Sequence, residues 1–321
     1  MNLLITGGAG FIGSHFIKAQ LAKSWDKITI VDALTYAGNL DNLQHILNDT
    51  RIEFIHGDIC DEGLLGGAFV NIDVVVNFAA ESHVDRSISS SSDFIKTNVL
   101  GTQNLLEISR KCGTKTFLQV STDEVYGSIS EGSWTENSPL DPNSPYSASK
   151  ASADLLCLAF AKTHGMDVRV TRCSNNYGSH QHPEKLIPKA ITNMIEGLPI
   201  PVYGDGRNSR DWLHVTDHCY GIELALKYGK PGEVFNIGGG IELTNLELLE
   251  MLFALSPDTQ NSIEFVQDRK GHDRRYSVSS SKLEEIAGYS PMVALKKGLK
   301  ETFAWYEENE TWWKPLKGKI A

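Results

Sequence analysis

The side chains best suited to moving protons lie in two short segments near the middle of the chain. Thr122, Asp123 and Glu124 follow a β-branched run, and Tyr146 and Lys150 open a stretch with a helical pattern. Because Tyr146 and Lys150 are four residues apart, a helix places both on one face, with the ammonium group beside the phenol. Tyr146 can then take a proton from a hydroxyl group while a hydride leaves the same carbon, and Thr122 can supply a further hydrogen bond to that hydroxyl.

This use of Tyr146 requires a lower pKa than that of a free phenol, which is about 10. The neighbouring Lys150 and a positively charged nicotinamide ring would both favour the phenolate. A tyrosine and a lysine at this spacing are also common on solvated helix faces. The pair therefore indicates redox chemistry only together with a nucleotide site elsewhere in the chain.

Such a nucleotide site is indicated at the N-terminus, where the strand-like run Leu3–Thr6 leads into GGAGFIG (7–13) and a helical pattern. Glycines let the backbone approach a pyrophosphate closely, and the start of the helix favours that anion. The alternative is a glycine-rich turn that only packs helix against strand. Asp32 ends the second predicted strand, where a carboxylate binds a ribose and repels a 2′-phosphate, so NAD is predicted rather than NADP. Asp58, after the third strand, is predicted either to bond the adenine amino group or to cap a helix.

Alternation of β-branched runs with helical patterns in the first half of the chain predicts βαβ units around a parallel sheet. The fold class is therefore α/β, with a Rossmann-type doubly wound parallel sheet. The predicted strands are Leu3–Thr6, Ile28–Val31, Ile52–Ile55, Val74–Asn77, Thr116–Val120 and Val168–Thr171. The predicted helices are Phe11–Ala22, Leu40–Leu47, Leu64–Phe69, Ile95–Cys112 and Tyr146–Thr163.

From about Lys185 onward, prolines and a Gly-Asp-Gly turn interrupt this alternation. The change predicts a NAD-binding domain over residues 1–184 and a smaller C-terminal α/β substrate domain over residues 185–321, with an interleaved boundary. In this second region, strands are expected near Val234–Ile237 and Ile263–Val266, and helices near Asn245–Ala254 and Ala294–Tyr306.

Charge and composition exclude several classes of partner. Against 40 Asp and Glu the chain has only 30 Lys and Arg, and its net charge of −10 opposes binding to nucleic acid or to an anionic membrane surface. Neither a membrane-span pattern nor a signal-peptide pattern is present, so a cytoplasmic location is expected. The five scattered cysteines form no CxxC pair, and neither a disulfide framework nor a metal site is expected.

Motifs spread over nearly the whole chain resemble those of the extended short-chain dehydrogenase/reductases and, within them, of the dTDP-glucose 4,6-dehydratases. The motifs are GGAGFIGS (7–14), DALTYAGN (32–39), AAESHVDRSI (79–88), STDEVYGS (121–128), SPYSASKA (144–151), RCSNNYG (172–178), PEKLIP (183–188), RDWLHVTDH (210–218) and DRKGHDRRY (268–276). Nucleotide-sugar epimerases of the same superfamily characteristically lack the Asp–Glu pair, so Asp123 and Glu124 favour a dehydratase. Ser179 and Lys270 depart from the family pattern, since proline is usual at both places, but neither supplies a catalytic group.

The resemblance implies dehydration of dTDP-glucose to a 4-keto-6-deoxy sugar, with NAD recycled. Oxidation of C4 to a ketone makes the C5 proton acidic, and Glu124 is implied as the base that removes it. Asp123 is implied as the acid that protonates the departing C6 hydroxyl, which requires a carboxyl group kept neutral by burial and a neighbouring charge. Neighbours in a continuing strand point to opposite faces, so the chain should leave extended geometry near Thr122. The alternative is that both acids only cap the following helix or turn.

The same resemblance implies two sets of binding residues. Added to the fingerprint glycines Gly7, Gly10 and Gly13, the NAD set is Phe11, Ile12, Asp32, Leu34, Thr35, Asp58, Ile59, Ala79, Ala80, Ser82, Thr97, Tyr146, Lys150 and Asn176. The nucleotide-sugar set is Thr122, Asn175, Lys185, Leu186, Tyr203, Arg210, Asn245, Arg269 and His272. The two arginines suit a diphosphate, although a lone arginine more often forms a surface ion pair. His83 is left without a role.

Two other functions stay open from the sequence. One is an NAD-dependent nucleotide-sugar 4-epimerase, and the other is a non-catalytic NAD-binding protein, which the presence of both Tyr146 and Lys150 disfavours. A homodimer is expected, because the apolar faces of the Ile95–Cys112 and Tyr146–Thr163 helices could form a four-helix bundle across a two-fold axis. The preference for thymidine over other nucleotides rests on the resemblance alone.

Overall fold

The computed structural model describes residues 1–257 and 261–318, so the end of the second predicted domain, residues 319–321, lies outside the described residues. Its strands are β1 (Asn2–Thr6), β2 (Lys27–Asp32), β3 (Ile52–His56), β4 (Val74–Asn77), β5 (Thr116–Thr122), β6 (Val168–Cys173), β7 (Asn175–Tyr177), β8 (Ile200–Tyr203), β9 (Ser209–His214), β10 (Val234–Ile237), β11 (Glu242–Thr244) and β12 (Ile263–Val266). Its helices are α1 (Phe11–Gln20), α2 (Glu62–Ala68), α3 (Val84–Ser89), α4 (Ser92–Phe94), α5 (Thr102–Cys112), α6 (Pro145–His164), α7 (Leu186–Glu196), α8 (Val215–Tyr228), α9 (Asn245–Phe253), α10 (Ser281–Ala287), α11 (Leu295–Glu308) and α12 (Glu310–Lys317). None of the helices in the described part of the chain has the length and apolar character needed to cross a membrane.

Seven parallel strands form the main sheet, in the order β10-β6-β5-β4-β1-β2-β3, which confirms the doubly wound α/β fold. Leu3 and Ile5 of β1 belong to one apolar core and Leu4 belongs to a second, because successive side chains of a strand point to opposite faces. The chain order reverses between β1 and β4. In such sheets a ligand cleft lies beyond the carboxyl ends of the strands at this reversal, so the residues that follow β1, β4 and β5 should converge there.

The second region contains a three-stranded sheet, in the order β11-β9-β7, and a two-stranded sheet of β12 and β8. The expectation that Val234–Ile237 belongs to this region was wrong, because β10 pairs in parallel with β6 at the edge of the main sheet. All four of its residues are buried, as in a strand covered on both faces. Conversely, Asn175–Tyr177 pairs with β9 in the smaller sheet. The chain therefore crosses between the two regions more than once.

Two predicted helices differ from expectation in type. Over Leu40–Leu47 only Leu40–Leu43 is helical, as a 3₁₀ turn in which the side chain of Asn39 accepts a hydrogen bond from Asp41 N. Asn and Asp side chains compete with helical hydrogen bonds in this way, and the side-chain amide of Asn42 instead donates to the carbonyl of Ala9. Within the predicted helix Ile95–Cys112, the segment Ile95–Gly101 is a π-helical turn that leads into α5.

Helix α6, which carries Tyr146 and Lys150, is fixed at both ends by its sequence. Ser144 forms a capping box with Ser147, and Pro145 occupies the first turn, where its missing N–H costs nothing. Gly165 ends the helix in the left-handed conformation at φ 65°. The start of the helix one residue before Tyr146 therefore follows from local chemistry.

Candidate active site

A cavity of about 320 Å³ lies at the carboxyl ends of β1, β2, β4 and β5, as the sheet order predicts. All five residues predicted to be catalytic line it, namely Thr122, Asp123, Glu124, Tyr146 and Lys150. The predicted cofactor residues in its wall are Gly7, Gly10, Phe11, Ile12, Gly13, Asp32, Thr35, Asp58, Ile59, Ala79, Ala80, Ser82, Thr97 and Asn176. Leu34 is not among the described residues of this wall, but its backbone N–H donates to Asp32 Oδ1 at 2.8 Å.

The glycine-rich turn is shaped by close contacts within itself. Gly7 has φ +68°, and a Cβ on Gly13 would lie 2.3 Å from the carbonyl oxygen of Gly7. Helix α1 begins at Phe11 after Gly10, and among the described residues no side chain caps it. A helix start without a side-chain cap offers its N–H groups and positive dipole end to an anion, so the turn fits a dinucleotide pyrophosphate.

Asp32 is held against this turn by two backbone hydrogen bonds. Ala9 N donates to its Oδ2 and Leu34 N to its Oδ1, each at 2.8 Å. Burial raises the pKa of the Asp32 carboxyl, and the two N–H donors oppose that rise. The structure places this carboxylate beside the glycine-rich turn, and its role toward a ribose diol, against a 2′-phosphate, stays a prediction.

Asp58 also lines the cavity, and its two predicted interpretations can now be compared. Its Oδ1 accepts a hydrogen bond from Cys60 N at 2.9 Å, and Lys96 Nζ lies 3.4 Å from its Oδ2. The N-terminus of α2 is capped by Asp61, which accepts from the N–H groups of Gly63 and Leu64. The helix-cap interpretation therefore belongs to Asp61.

Tyr146 and Lys150 share the buried face of α6, as the spacing predicted. Both side chains are buried, and Lys150 Nζ donates to the carbonyl of Val120 at 2.7 Å. Burial raises the pKa of Tyr146 well above its ordinary value, and the charge of Glu124 adds to the rise. Burial lowers the pKa of Lys150, opposed by the charge of Asp154. The pKa of Tyr146 therefore moves opposite to the sequence-based expectation, and a positive charge nearby would favour the phenolate.

The chain leaves extended geometry at Thr122, which confirms that prediction. Residues Asp123–Tyr126 form a 3₁₀ turn, and its start is capped by Thr122 Oγ1, which accepts from Glu124 N at 3.2 Å. The cap is thus Thr122, and the two acids are available for another role. The Thr122 hydroxyl donates to Asp123 Oδ1 at 3.3 Å, while Asp123 Oδ2 has no hydrogen-bond partner among the described residues.

The two acids of this turn have different electrostatic surroundings. Asp123 is buried, with 2% of its surface exposed, and burial with the charges of Glu124 and Asp211 raises its pKa well above the ordinary value. Burial also raises the pKa of Glu124, but three cations, Arg210, Lys185 and Arg269, oppose that rise. These surroundings favour a protonated Asp123 beside an ionised Glu124.

The cations that face Glu124 come from the second region or the segment that leads into it. Arg210 donates to the carbonyls of Ser209 at 2.7 Å and Asp273 at 2.9 Å. Its guanidinium carbon lies 4.4 Å from the ring centre of Tyr276. Lys185 Nζ donates to the carbonyl of Ser82 at 2.9 Å. Arg210 is therefore positioned largely by backbone groups, whereas Lys185 Nζ also lies 3.9 Å from Glu184 Oε1.

A second cluster contains two predicted substrate residues, Tyr203 and Arg269, around an acid that was not predicted from the sequence. Asp85 pairs with Arg269 at 2.7 Å and accepts a hydrogen bond from the Tyr203 hydroxyl at 3.2 Å. Arg269 also lies 4.9 Å from the centre of the Tyr203 ring. The available signal was the position of Asp85 inside the AESHVDRSI motif.

Predicted substrate residues are only partly gathered in the cavity. Among the described residues, Asn175, Lys185 and Thr122 line its wall, whereas Leu186, Tyr203, Arg210, Asn245, Arg269 and His272 do not. Leu186 and Asn245 are the first residues of α7 and α9, and Asn245 N donates to the carbonyl of Asn208. His272 pairs with Asp268 at 2.6 Å.

Glu81 and Glu184 also line the cavity, and the sequence analysis missed both. His83, left without a role, caps α3 by accepting from Arg86 N and lies 3.5 Å from Glu184 Oε2. Burial lowers the pKa of His83 to about 4. His83 is therefore neutral, and its role is to cap the start of α3.

Comparison with known proteins places the chain in one family. The family model described as GDP-mannose 4,6 dehydratase matches residues 4–302. A dTDP-glucose 4,6-dehydratase from an Actinoplanes species is 55% identical over 98% of this chain and 100% of its own length.

Solved structures agree with that assignment. The dTDP-glucose 4,6-dehydratase DesIV from Streptomyces venezuelae, solved with NAD and TYD bound, is 54% identical with a TM-score of 0.96, over 98% of this chain and 100% of that one. A UDP-glucuronic acid 4-epimerase from Bacillus cereus, in complex with UDP-glucuronic acid and NAD, is only 30% identical, with a TM-score of 0.91 over 96% of this chain and 99% of that one. The backbone is therefore shared by both classes, and higher identity lies with the dehydratases.

Proposed function

The chain belongs to the GDP-mannose 4,6 dehydratase family, and within it to the dTDP-glucose 4,6-dehydratases, and from that premise we propose that it dehydrates dTDP-glucose to dTDP-4-keto-6-deoxyglucose. The observation that carries the proposal is the buried Asp123 beside Glu124, on the same cavity wall as Thr122 and Tyr146. An epimerase needs the tyrosine but has no elimination to perform. Two acids with separated pKa values are what an elimination of water requires.

NAD is the cofactor that these residues would hold. The glycine-rich turn suits its pyrophosphate, Asp32 its ribose, and Tyr146 with Lys150 its nicotinamide end. When bound, NAD would supply the redox chemistry, as acceptor of the hydride from C4 of the sugar and as its donor to C6. This fit depends on the close packing of backbone in the glycine-rich turn, since a Cβ on Gly13 would clash with the carbonyl oxygen of Gly7.

Tyr146 is the base for the C4 hydroxyl of the sugar. Thr122 is the second group that hydrogen-bonds the oxygen of that hydroxyl. Thr122 and Tyr146 line the same cavity wall, so a sugar hydroxyl placed between them meets both groups. Lys150 is anchored to the carbonyl of Val120 and contributes a fixed positive charge to this end of the cavity. That charge stabilises the phenolate form that removes the hydroxyl proton.

Glu124 and Asp123 carry out the elimination. Glu124 takes the C5 proton, the electron pair forms the C5–C6 double bond conjugated with the C4 ketone, and the C6–O bond breaks. Asp123 gives its proton to the departing oxygen, so water leaves and Asp123 becomes a carboxylate. Arg210, Lys185 and Arg269 favour an ionised Glu124 and supply the charge that a diphosphate needs.

Incubation of the purified protein with dTDP-glucose tests this function. The expected product has lost one water by mass and shows the absorbance of a 4-keto sugar in base. Asp123→Asn is the matched control, since it keeps the shape of the side chain but cannot give up a proton in the same way. A product of unchanged mass would indicate the 4-epimerase instead. Competition by UDP-glucose against dTDP-glucose measures the preference for thymidine.

The assembly is proposed to be a homodimer. Large apolar side chains are exposed on the outer faces of the π-helical segment and α6, with Ile95 51%, Leu100 46% and Leu155 58% exposed. A second copy packed across a two-fold axis would cover them. Light scattering after size-exclusion chromatography should give a dimer mass, and Leu155→Glu should shift it toward the monomer.

We also propose a cytoplasmic location. All five cysteines are present as free thiols, which suits a reducing compartment. Fractionation of the source cells, with a known cytoplasmic enzyme as marker, tests the location.

A further inference from the structure

A buried hydrogen-bonded network lies behind the cavity and joins the elements that carry the two catalytic pairs. Arg172 of β6 bonds Asp154 of α6 through Nε at 2.8 Å and the Tyr126 hydroxyl through Nη1 at 2.7 Å. The Tyr126 hydroxyl in turn donates to Asn236 Oδ1 of β10 at 2.9 Å. No residue of this network lines the cavity among the residues the structure describes, so none of them is placed to touch the reacting sugar.

Each end of the network is close in sequence to a catalytic pair. Tyr126 is the last residue of the 3₁₀ turn that begins with Asp123 and Glu124. Asp154 lies one helical turn beyond Lys150 and two beyond Tyr146 on α6. The network therefore ties the turn that carries the acid and the base of the elimination to the helix that carries the redox pair.

Strand register fixes the middle of the network. Arg172 lies opposite Ser121 on β5 and opposite Asn236 on β10, so the three residues form one row across the sheet. Tyr126 is 1% exposed, and its ring stacks on Trp134 at a centroid distance of 6.1 Å. Trp134 Nε1 donates to the carbonyl of Gly127, directly after the turn. The hydroxyl of Tyr126 thus accepts from Arg172 on β6 and donates to Asn236 on β10, and both strands belong to the main sheet.

We propose that Tyr126 is a positioning residue for the elimination step, which sets Asp123 and Glu124 against a sugar that Tyr146 and NAD already hold. The proposal rests on the proposed dehydratase function. A turn of four residues pinned at Thr122 and at Tyr126 leaves its two acids little freedom. Loss of the hydrogen bonds of the Tyr126 hydroxyl should make the positions of Asp123 and Glu124 less fixed. Helix α6 should keep its position, because its own caps hold it. Misplacement of a reacting group by about 1 Å is enough to slow a step by about 10²-fold.

The test compares Tyr126→Phe with Tyr289→Phe in the NAD-loaded protein. Tyr289 is a matched control because it is also buried, at 2% exposed, and its hydroxyl donates to one backbone carbonyl, that of Gly238, at 3.1 Å. Each variant is mixed rapidly with dTDP-glucose. Bound NADH is followed by its absorbance, incorporation of solvent deuterium at C5 by mass, and thermal unfolding on the same samples.

In Tyr126→Phe we expect kcat to fall about 10- to 100-fold with KM within about twofold, because sugar binding is untouched. Bound NADH should accumulate before product forms, and deuterium exchange at C5 should slow in the same proportion as kcat. Tyr289→Phe should lower the unfolding temperature to a similar extent without any accumulation of NADH. Arg172→Lys keeps the charge beside Asp154 but loses the guanidinium fork, and it should behave like Tyr126→Phe. If Tyr126→Phe does not fold, Arg172→Lys replaces it in the test.

Equal slowing of NAD reduction and of water loss in Tyr126→Phe, with no NADH transient, would overturn the positioning role. The same holds if Tyr289→Phe gives the same transient. These results are distinct from failure of the proposed function, in which the unaltered protein would release no water from dTDP-glucose.

Discussion

The cofactor half and the substrate half of the cavity are built in different ways. In the cofactor half the contacts are local and largely made by backbone, as between Gly7 and Gly13 or between Asp32 and the N–H of Leu34. In the substrate half they join side chains far apart in the chain, and Asp85 with Arg269 spans 184 residues. Local backbone geometry leaves a mark in a short sequence, whereas a distant side-chain pair depends on the whole fold. The two halves should therefore also respond differently to substitution.

Tyr146→Phe removes the hydroxyl that lies where the two halves meet, and it should have the largest effect. Without it, no group at that position can take the C4 proton, so reduction of bound NAD by dTDP-glucose should slow by about 10²- to 10⁴-fold. Stopped-flow absorbance of the NAD-loaded protein measures this rate. Binding of dTDP-glucose, followed by calorimetry, should change little, and a rate of NAD reduction like that of the unaltered protein would remove Tyr146 from the mechanism.

Glu124→Gln acts only in the substrate half, and it should separate oxidation from elimination. The amide keeps the shape of the side chain but cannot take the C5 proton, so water loss should slow by about 10²-fold while sugar affinity stays nearly constant. Mass analysis of the product against time gives the rate, and calorimetry gives the affinity. Equal damage to rate and affinity would mean that Glu124 holds the site together.

The pH profile of the unaltered protein tests the separate roles of Glu124 as base and Asp123 as acid. Burial raises the pKa of both acids, so kcat should fall as pH drops through the raised pKa of Glu124, where the base becomes protonated. It should fall again as pH rises through the pKa of Asp123, where the acid loses its proton. Glu124→Gln should lose the acid limb of this bell and keep the alkaline limb.

The contrast between the halves also explains what could be predicted from sequence. The strand, the glycine-rich turn and Asp32 follow one another within a single βαβ unit, and the structure places them as predicted. The departure from extended geometry after Thr122 could be predicted, because two neighbouring acids cannot face one ligand from a strand, although its form as a 3₁₀ turn could not. The pairing of Asp85 could not be predicted, even though Asp85 lies in a recognised motif, because its partner Arg269 arrives through the topology of the second region. The prediction that Val234–Ile237 belongs to the second region was wrong for the same reason, since an apolar run indicates burial but not which sheet the strand joins.

Gly13→Ala tests the cofactor half. Its Cβ would lie 2.3 Å from the carbonyl oxygen of Gly7 and 2.9 Å from Gly8 Cα, and backbone atoms cannot move aside as a flexible side chain can. We expect NAD affinity to fall at least about tenfold, with overpacking that costs about 1–3 kcal/mol of stability. Isothermal titration with NAD and thermal unfolding measure the two effects.

Gly66→Ala is the matched control for this change, because a Cβ there meets nothing within 4 Å and the residue lies in α2. It should leave NAD affinity unchanged and add up to about 1 kcal/mol of stability, as alanine does in a helix. If both alanines bind NAD equally well, the close approach at Gly13 does not shape the nucleotide site.

Asp85→Asn probes the distant pair of the substrate half and should have the smallest effect. Asp85 holds Arg269 on one side while the Tyr203 ring supports it on the other, so the pair orients the guanidinium group. The side chains are 22% and 34% exposed, and solvent therefore screens much of their attraction. The substitution removes one negative charge and, with it, the ion pair that orients Arg269. The lost orientation should raise the KM for dTDP-glucose about 3- to 10-fold, with kcat constant, in steady-state assays. Arg274→Gln breaks a fully surface pair with Asp205, in which both side chains are 56% exposed, and should leave KM unchanged within about twofold. A lower KM in Asp85→Asn would show the opposite arrangement, in which Asp85 competes with the diphosphate for Arg269.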